Sequence, residues 1–313
     1  MSSTGAITLI EAAKLLEPTR ERGVIQTYAE GSVVLASGAT VIKSGPTLPW
    51  KQEDTLPYTS SGNGVRNVNA DFTARKGSVK PYESQVKILG GKIEVDRYIK
   101  KGYPERVGFE RMGQIKALAR NVDLMVFGGS GGEQLRGIKD WIDNDPGFST
   151  QNVDVGSAGT PAVITFEALD EMLFNMAIGE RTKLYMNAAA QRKLMKDARD
   201  SSYNIREGRD ELGTVVNIYN NIPIYTMRDG KNADLINVDG SDGMEVYCVS
   251  WGEDMCTFHS MNGSISGGVP MPDYIVTDDG TEAETERMEW YTGLAPQAIR
   301  SIGRLRYVKN AIS

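Results

Sequence analysis

The length, composition and charge of the chain are those of an ordinary globular protein. Its 313 residues are 40% hydrophobic and 24% charged, and 35 Lys and Arg against 41 Asp and Glu leave a net charge of −6, which argues against a general nucleic-acid-binding surface. The sequence contains no apolar run long enough to cross a bilayer and no secretory signal, and its two cysteines are too few for a disulfide framework. We therefore expect one or two domains with reduced thiols and without membrane contact.

The first forty residues predict two helices and an extended segment. Thr8 and Glu11 have the spacing of a capping box, which indicates a short helix. Pro18 suits the first turn of a second helix, which we expect to end near Glu30. The apolar residues that follow predict an extended backbone over Val33–Ile42.

The stretch from residue 44 to residue 78 differs in character from the rest of the chain. It is rich in Pro, Gly, Ser, Thr and Asn and has no clear periodicity, and such long stretches are typical of functional excursions or of disorder. A disordered segment has no need of the large side chains of Trp50, Tyr58 and Phe72. We therefore predict a loop that packs against a neighbouring molecule.

The segment Val79–Lys100 predicts two strands. Short apolar alternations lie on either side of Gly90 and Gly91, so we expect a strand, a bend or hairpin at the glycines, and a second strand.

A long helix is the strongest local prediction. Pro104 suits a first helical turn, apolar residues recur at helical spacing, and charged residues that include Asp123 form the polar faces, so we expect a helix over 105–127. At about 1.5 Å per residue it would be about 35 Å long, and we interpret it as a spine along which other elements pack. Gly128 and Gly129 are expected to end it in a left-handed conformation.

The second half of the chain alternates between strands and helices. Asn187 is a plausible helix cap, Asn220-Asn221 and Asp279-Gly280 are turn pairs between strands, and Ser201–Leu212 is expected to be an exposed polar loop. The predicted helices cover 166–178 and 188–199, and the predicted strands cover 162–165, 183–186, 215–219, 222–227, 234–238, 244–249, 274–277, 284–291 and 300–308. The order predicts an α+β spine domain built from two separated stretches, with an α/β domain inserted between them.

No residue pattern predicts catalysis, a cofactor or a metal site. His259 is the only histidine, and its place in a strand-like stretch favours a packed side chain over a catalytic one. The spacing of Cys248 and Cys256 is not that of a zinc site. The glycines at 128–132 lack the Lys-Ser/Thr ending of a phosphate-binding loop, and the acidic run at 278–286 is typical of a solvated hairpin.

Four segments in their order resemble the tailed-phage major capsid protein family. They are ITLIEAAKLLEP at 7–18, SQVKILGGKIEVDRYIK at 84–100 before the long helix, VVNIYNNIPI at 215–224, and EWYTGLAPQAIRSIGRLR at 289–306. The resemblance covers nearly the whole chain. It implies an N-terminal arm (1–33), an extended β-hairpin loop (44–78), a peripheral domain (79–150 and 271–313) with the spine helix, and an axial domain (151–270).

The resemblance implies a shell protein that assembles as hexamers and pentamers into an icosahedral virion head, formed in the host cytoplasm around double-stranded DNA that it does not read by sequence. Because few residues precede the first strand, we expect a separate scaffolding protein, together with a portal and, as a further candidate, a decoration protein. In the family the extended loop reaches over the spine-helix domain of a neighbouring subunit, and residues 201–212 would lie near the local symmetry axis. The candidate intersubunit contacts are Trp50, Tyr58, Arg66, Phe72, Arg106, Arg111, Lys116, Arg120, Arg206 and Arg209.

Two alternatives remain open from the sequence. The first is a bacterial nanocompartment shell of the encapsulin type, which has the same fold and packages enzymes in place of DNA. The second is an α/β enzyme with a small-ligand site in the 151–270 domain, although the single histidine and the absence of a nucleophile motif argue against it. For the shell hypothesis, we expect deletion of Pro49–Thr73 to leave a folded subunit that cannot form stable shells.

Overall fold

The computed structural model describes residues 31–309, except for gaps at 38, 40, 56–67, 70–75, 201–204, 210–214, 228–242, 262–264, 267–268, 271–272 and 278–282. The two helices expected before residue 31, the strand expected at 234–238 and the candidate contacts Tyr58, Arg66 and Phe72 lie outside the described residues. The predicted α+β class is confirmed.

Helices and strands of the described residues alternate along the chain. The helices are α1 (Val33–Ala36), α2 (Arg97–Gly102), α3 (Pro104–Gly128), α4 (Ile138–Asn144), α5 (Phe166–Phe174) and α6 (Ala188–Asp200), with 3₁₀ turns at Ser149–Gln151 and Ile299–Ser301. The strands are β1 (Val41–Lys43), β2 (Thr47–Thr55), β3 (Ser78–Gln85), β4 (Lys87–Asp96), β5 (Asn152–Asp154), β6 (Thr182–Met186), β7 (Ile205–Arg209), β8 (Val215–Tyr219), β9 (Ile222–Thr226), β10 (Met244–Ser250), β11 (Cys256–Ser260), β12 (Ile265–Ser266), β13 (Val269–Pro270), β14 (Asp273–Thr277), β15 (Ala283–Pro296) and β16 (Ile302–Val308).

One sheet has seven strands in the order β5-β16-β10-β6-β9-β8-β7, and we call it the axial sheet because most of its strands belong to the predicted axial domain. Its central strands β6 and β10 are buried along their whole length, because both faces of the sheet are covered. Leu184 and Met186 face a core that includes α5 and α6, whereas Tyr185 between them faces the core that contains the spine helix. The alternation of side chains along one strand therefore links the two cores.

The peripheral sheet is organised around the 14-residue strand β15. Its order is β1-β11-β15-β14, and β4 pairs with β15 as well. Buried residues of β4 and β15 share a core with the spine helix α3. Strands β2 and β3 form a separate two-stranded ribbon.

The spine helix is confirmed almost to the residue, since α3 spans Pro104–Gly128 with Pro in its first turn. Its buried stripe of Ile115, Ala119, Val122 and Val126 has the predicted helical spacing. The conformation of its end differs from the prediction. Gly129 has φ −63° and ψ 131°, which is extended rather than left-handed, and glycine is required there because a Cβ would collide with the carbonyl of Leu135.

The two glycines in the predicted bend of segment 79–100 lie inside a continuous strand. Strand β4 runs through Gly90 and Gly91 and pairs with β15 from Asp96 to Lys87. A Cβ at Gly90 would collide with the carbonyl of Met288 on β15, so the glycine permits close backbone approach and does not mark a turn.

Segment 33–42 is a second correction, because its first part is the short helix α1 and only Val41–Lys43 is a strand. The side chain of Ser32 accepts a hydrogen bond from the Leu35 amide, and the amides of Val33 and Val34 donate to Asp123 of α3. The helix start therefore has a local acceptor, Ser32, and a second acceptor, Asp123, about ninety residues away in the sequence. Local patterns cannot reveal the second one.

One strand assignment and one loop assignment also change. Residues 162–165 form only a β-bridge from Ala162 to Val308 and not a strand. The predicted polar loop 201–212 contains strand β7, which pairs with β8 at the edge of the axial sheet. The sequence of β7 is charged like that of a loop, because an edge strand can expose most of its side chains to water. The charged residues were therefore misinterpreted as a loop.

The predicted domain boundaries do not coincide with the sheets. Strand β16 was expected in the peripheral domain, but it lies between β5 and β10 of the axial sheet. Strand β11 was expected in the axial domain, but it pairs with β1 and β15 of the peripheral sheet. Each of the two sheets therefore contains one strand from the stretch that was assigned to the other domain. A division of the chain by sequence order does not reveal this.

Candidate functional site

The base of the extended loop is an antiparallel ribbon. Strand β2 pairs with β3 from Thr47 opposite Gln85 to Thr55 opposite Ser78. Exposure changes along the ribbon: Ser78–Pro81 are exposed, whereas Tyr82 and Ser84 become progressively buried against the body of the protein. The ribbon is thus held at one end and leaves the peripheral domain at the other.

An aromatic cluster holds the ribbon to its own subunit. Trp50 is only 9% exposed and stacks on Tyr82, with ring centroids 5.8 Å apart. Trp141 of α4 lies 5.6 Å from Trp50, and Phe148 meets Tyr82 edge-on at 5.9 Å. The Arg136 guanidinium lies 3.6 Å from the ring centre of Trp141, which adds a cation–π contact.

Trp50 therefore packs within its own subunit, and whether it also contacts a neighbouring molecule stays a prediction. The same packing changes the deletion experiment suggested by the sequence. Removal of Pro49–Thr73 would delete most of β2 together with Trp50 and Gln52, whose side-chain amide donates to the Gln297 carbonyl at 2.8 Å. The resulting subunit would lose its own packing as well as the loop.

In the part of the chain that the structure describes, the outer face of the spine helix exposes apolar and basic side chains. Phe109 is 77% exposed, and Met112 and Leu124 also expose much of their side chains. Lys116 and Arg120 are exposed on the same helix. Large apolar groups that recur along one exposed helix face mark an interaction surface more often than scattered single residues do. We call Phe109, Met112, Lys116, Arg120 and Leu124 the outer face of α3.

Arg111 does not join this outer face, because its side chain turns to its own sheet. Arg111 forms a two-pronged ion pair with Glu286 of β15, whose side chain is only 1% exposed, so it connects the helix to its own sheet. Whether Arg111 also contacts another subunit stays a prediction, since its side chain is partly exposed. Arg106 lies in the first turns of α3, and its side chain is outside the described part of the structure.

Asp123 lies on the opposite, buried side of α3 and not on a polar face as predicted. Its carboxylate accepts hydrogen bonds from the Ser32 hydroxyl and from the amides of Val33, at 2.8 Å, and Val34, at 3.2 Å. Burial raises the pKa of Asp123 to about 7, against the lowering effect of these donors. This carboxylate holds the start of α1 to the spine helix. An acidic residue in the apolar stripe was the sequence signal for this role.

The two arginines near the predicted symmetry axis lie on the edge strand β7 and are exposed. Arg206 donates to the side chain of Asn221 at 2.7 Å, within the turn that joins β8 and β9. Asn220 and Asn221 both have positive φ, at 47° and 64°, as a two-residue hairpin turn requires. The predicted hairpin is confirmed, and whether Arg206 and Arg209 contact another subunit stays a prediction.

The titratable groups that could support catalysis are buried in packed sheets. His259 is fully buried, and burial lowers its pKa to about 4. Burial also raises the pKa of the Cys248 and Cys256 thiols, which keeps them protonated. Among the described residues, no group of His, Cys, Asp and Glu side chains could hold a metal ion, and no helix is long and apolar enough to span a membrane.

Known proteins were compared with the chain by sequence and by structure. No protein-family model and no curated protein matches the sequence. The structure is similar to an encapsulin complex from Synechococcus elongatus, with a TM-score of 0.64 and 11% identity over 96% of this chain and 95% of the other.

Phage capsid structures are similar to the chain as well. The capsid of a native GTA particle aligns with a TM-score of 0.59 and 12% identity over 88% of this chain and 90% of the other. The cyanophage A-1(L) capsid aligns with a TM-score of 0.57 and 14% identity over 87% and 90%. At such low identities, the TM-scores and the coverage establish a common fold over nearly the whole length. The chain therefore has the fold of the tailed-phage major capsid proteins, which an encapsulin shell protein shares.

Proposed function

We propose that this chain is the major shell protein of a phage head. Copies of it assemble as hexamers and pentamers into an icosahedral shell, which encloses double-stranded DNA without reading its sequence. The observation that carries the proposal is the likeness to phage capsid structures over at least 87% of both chains.

The loop base and the outer face of α3 support a specific contact. The ribbon is fixed to its own subunit at Trp50 and Tyr82, and the proposal assigns the contact with another molecule to residues 56–77, which continue the loop beyond the ribbon. The exposed Phe109, Met112 and Leu124 supply an apolar surface that a second copy can cover. In this proposal, the extended loop of one subunit covers the outer face of α3 in the next.

Repetition of this contact accounts for assembly. A loop that leaves one surface and binds a different one forms a heterologous interface, and such interfaces close into rings when the rotation between subunits allows it. Each contact can be weak, because every subunit in the shell makes several of them and the combined avidity is large. A scaffolding protein, a portal and a decoration protein complete the proposal as partners.

The test is a loop truncation that keeps the base of the ribbon intact. Because Thr55 pairs with Ser78, replacement of Leu56–Gly77 by Asn-Gly closes the ribbon with a two-residue hairpin turn and leaves Trp50 in place. We expect subunits that unfold at the wild-type denaturant concentration but form no closed shells in electron micrographs. A Gly/Ser-rich segment of the original length is the control for loop length. We call the proposed contact between the loop of one subunit and the outer face of α3 in the next the clasp. Normal shells from the truncated chain would contradict it.

A nanocompartment shell is the second candidate, because an encapsulin is among the similar structures. The two functions differ in what the shell contains. Shells purified after expression in a host that carries the neighbouring genes should contain DNA for a phage head. A single co-purified enzyme inside nucleic-acid-free shells would favour the nanocompartment.

A further inference from the structure

The single histidine lies between the two ends of the extended loop. His259 is in the middle of β11, where it is opposite Ile42 of β1 and Gly293 of β15. Its Nδ1 lies 2.9 Å from the hydroxyl of Ser44, three residues before β2 begins. Its Nε2 lies 2.9 Å from the hydroxyl of Ser84, next to the last residue of β3. One imidazole thus bridges the residues at which the loop leaves and re-enters the domain.

The direction of each hydrogen bond follows from the number of available protons. The Ser84 hydroxyl donates its only hydrogen to the carbonyl of Leu294, at 2.8 Å. Its oxygen must therefore accept a hydrogen bond from Nε2, which carries the ring proton. In a neutral imidazole, Nδ1 is then an acceptor. The Ser44 hydroxyl also lies 3.0 Å from the Gly45 carbonyl, and we infer that its one hydrogen is directed to Nδ1 because the neutral ring requires a donor at that nitrogen. The bonds run in one direction, from Ser44 through His259 and Ser84 to β15.

The imidazole of His259 fills the space next to the backbone of β15 at Gly293. A Cβ at position 293 would collide with the imidazole, so Gly293 permits the side chain to lie across the face of β15. The ring is completely buried, which favours the neutral form that the order of the hydrogen bonds requires. Beside it, the amide of Ser44 donates to the Ser260 carbonyl at 2.9 Å, and the amide of Val86 donates to the Pro46 carbonyl at 2.9 Å.

We propose that His259 is a positioning residue for the extended loop: as a single neutral tautomer it joins both ends of the loop to the peripheral sheet and fixes the direction in which the ribbon leaves the subunit. This inference rests on the proposed function of the loop as a clasp. The nine residues of β2 are about 30 Å long at about 3.3 Å per residue. A tilt of about 10° at the base would move the far end by about 5 Å, enough to misalign it with a binding surface on the next subunit.

The first test is spectroscopic and does not depend on assembly. Because the chain has one histidine, protein labelled with ¹⁵N-histidine gives the nitrogen signals of one imidazole, in solution or in sedimented shells. We expect Nε2 protonated and Nδ1 unprotonated between pH 5 and pH 8. A mixture of tautomers, or titration near pH 6.5, would overturn the inference even if shells form normally.

The second test separates this inference from the proposed function. His259→Phe keeps an aromatic ring over Gly293 but removes both hydrogen bonds. The control is Thr292→Val, which replaces a buried residue of β15 with one of nearly the same shape. We expect at least a tenfold lower yield of closed shells from His259→Phe than from the control, with loop density in variable orientations. Wild-type yield and orientation would overturn the positioning role, whereas a wild-type protein that forms no shells would instead contradict the proposed function.

Two milder variants decide the matter if His259→Phe does not fold. Ser44→Ala and Ser84→Ala each remove one end of the bridge, and Ser44 is only half-buried. In Ser44→Ala we expect the Nδ1 signal to shift while Nε2 stays protonated, with a two- to fivefold loss of shell yield. Unchanged ¹⁵N signals together with unchanged yield in both serine variants would overturn the proposal.

Discussion

The base of the extended loop and the outer face of the spine helix use large apolar side chains in opposite ways. At the loop base, Trp50 and Tyr82 are stacked and packed against the chain's own α4. On the outer face, Phe109 remains 77% exposed, in line with Met112 and Leu124. Trp50 and Tyr82 therefore pack within their own subunit, whereas the apolar residues of the helix lie on the surface that we propose another subunit covers.

The comparison distinguishes packing that holds the loop base to its own subunit from the contact that we propose between subunits. A loop that depends on a neighbour for all of its packing would lose its position whenever that neighbour left. Fixing the base through buried aromatic rings and His259 limits the conformational freedom that the far part must give up when it binds. The exposed helix face needs no such support, because α3 is already rigid through its own buried stripe.

The largest effect is expected at the loop base. Trp50→Ala removes a buried aromatic ring from its contacts with Tyr82 and Trp141 and should lower the free energy of unfolding by about 3–5 kcal/mol. Urea denaturation of unassembled subunits measures the change. The control Lys51→Ala, at the exposed neighbouring position, should differ from wild type by less than about 0.5 kcal/mol. Wild-type stability of Trp50→Ala with loss of shells would return Trp50 to the intersubunit surface.

The buried Asp123 predicts a pH dependence of stability. Its pKa of about 7 in the folded chain exceeds the unfolded value of 3.8, so the folded state binds the proton more tightly. Its contribution is fully present below about pH 4 and is lost as the pH rises through about 7, by up to about 4 kcal/mol.

Denaturation of wild type and Asp123→Asn at pH 5 and pH 8 tests this expectation. The asparagine variant should lose much less stability than wild type between the two pH values, because residue 123 no longer titrates. Equal losses in both proteins would show that Asp123 does not carry the pH dependence. The His259 contribution has the opposite sign, since its folded pKa of about 4 lies below the ordinary 6.5, and Asp123→Asn leaves it in place.

The ion pair between the helix and its own sheet should have an intermediate effect. Arg111→Met removes the guanidinium that faces the buried Glu286 carboxylate and should cost about 2–3 kcal/mol, less than a fully buried pair because Arg111 is partly exposed. The double variant Arg111→Met/Glu286→Gln should recover part of the loss, since it leaves no buried charge. A stable single variant with defective assembly would place Arg111 at the intersubunit surface instead.

The smallest effect on stability, with a large effect on assembly, is expected on the outer face. Phe109→Ser changes an exposed residue and should alter subunit stability by less than about 0.5 kcal/mol. The yield of closed shells should fall, because the variant removes apolar area that the neighbouring loop covers. Phe109→Leu retains that area and is the matched control. If both variants assemble like wild type, the outer face is not the loop's binding surface.

Local patterns predicted the elements whose signals lie within a few residues. The spine helix has its proline, its 3.6-residue period and its terminal glycines in one segment, and the Asn220-Asn221 turn carries its positive φ angles in its own two residues. Strand assignments failed where partners are distant: β11 and β16 alternate as strands should, but nothing in them specifies which sheet they join.

The candidate site was predicted less well, for the same physical reason. Trp50 was expected to be buried against a neighbouring molecule. It is buried, but its partners Tyr82 and Trp141 belong to the same chain. Arg111 was grouped with Lys116 and Arg120 by charge, although the turn of the helix directs it to Glu286. The role of His259 depends on Ser44 and Ser84, which come near it only when β1, β3 and β11 are assembled.

Cryo-electron microscopy of the purified chain, expressed alone and with any scaffolding protein encoded beside it, tests the central claim most directly. We expect closed shells in which residues 56–75 of one subunit lie on Phe109, Met112 and Leu124 of the next, while Trp50 stays against Trp141 of its own chain. A stable monomer or dimer under all conditions would contradict the shell function. Closed shells with the outer face of α3 left uncovered would contradict the clasp between subunits.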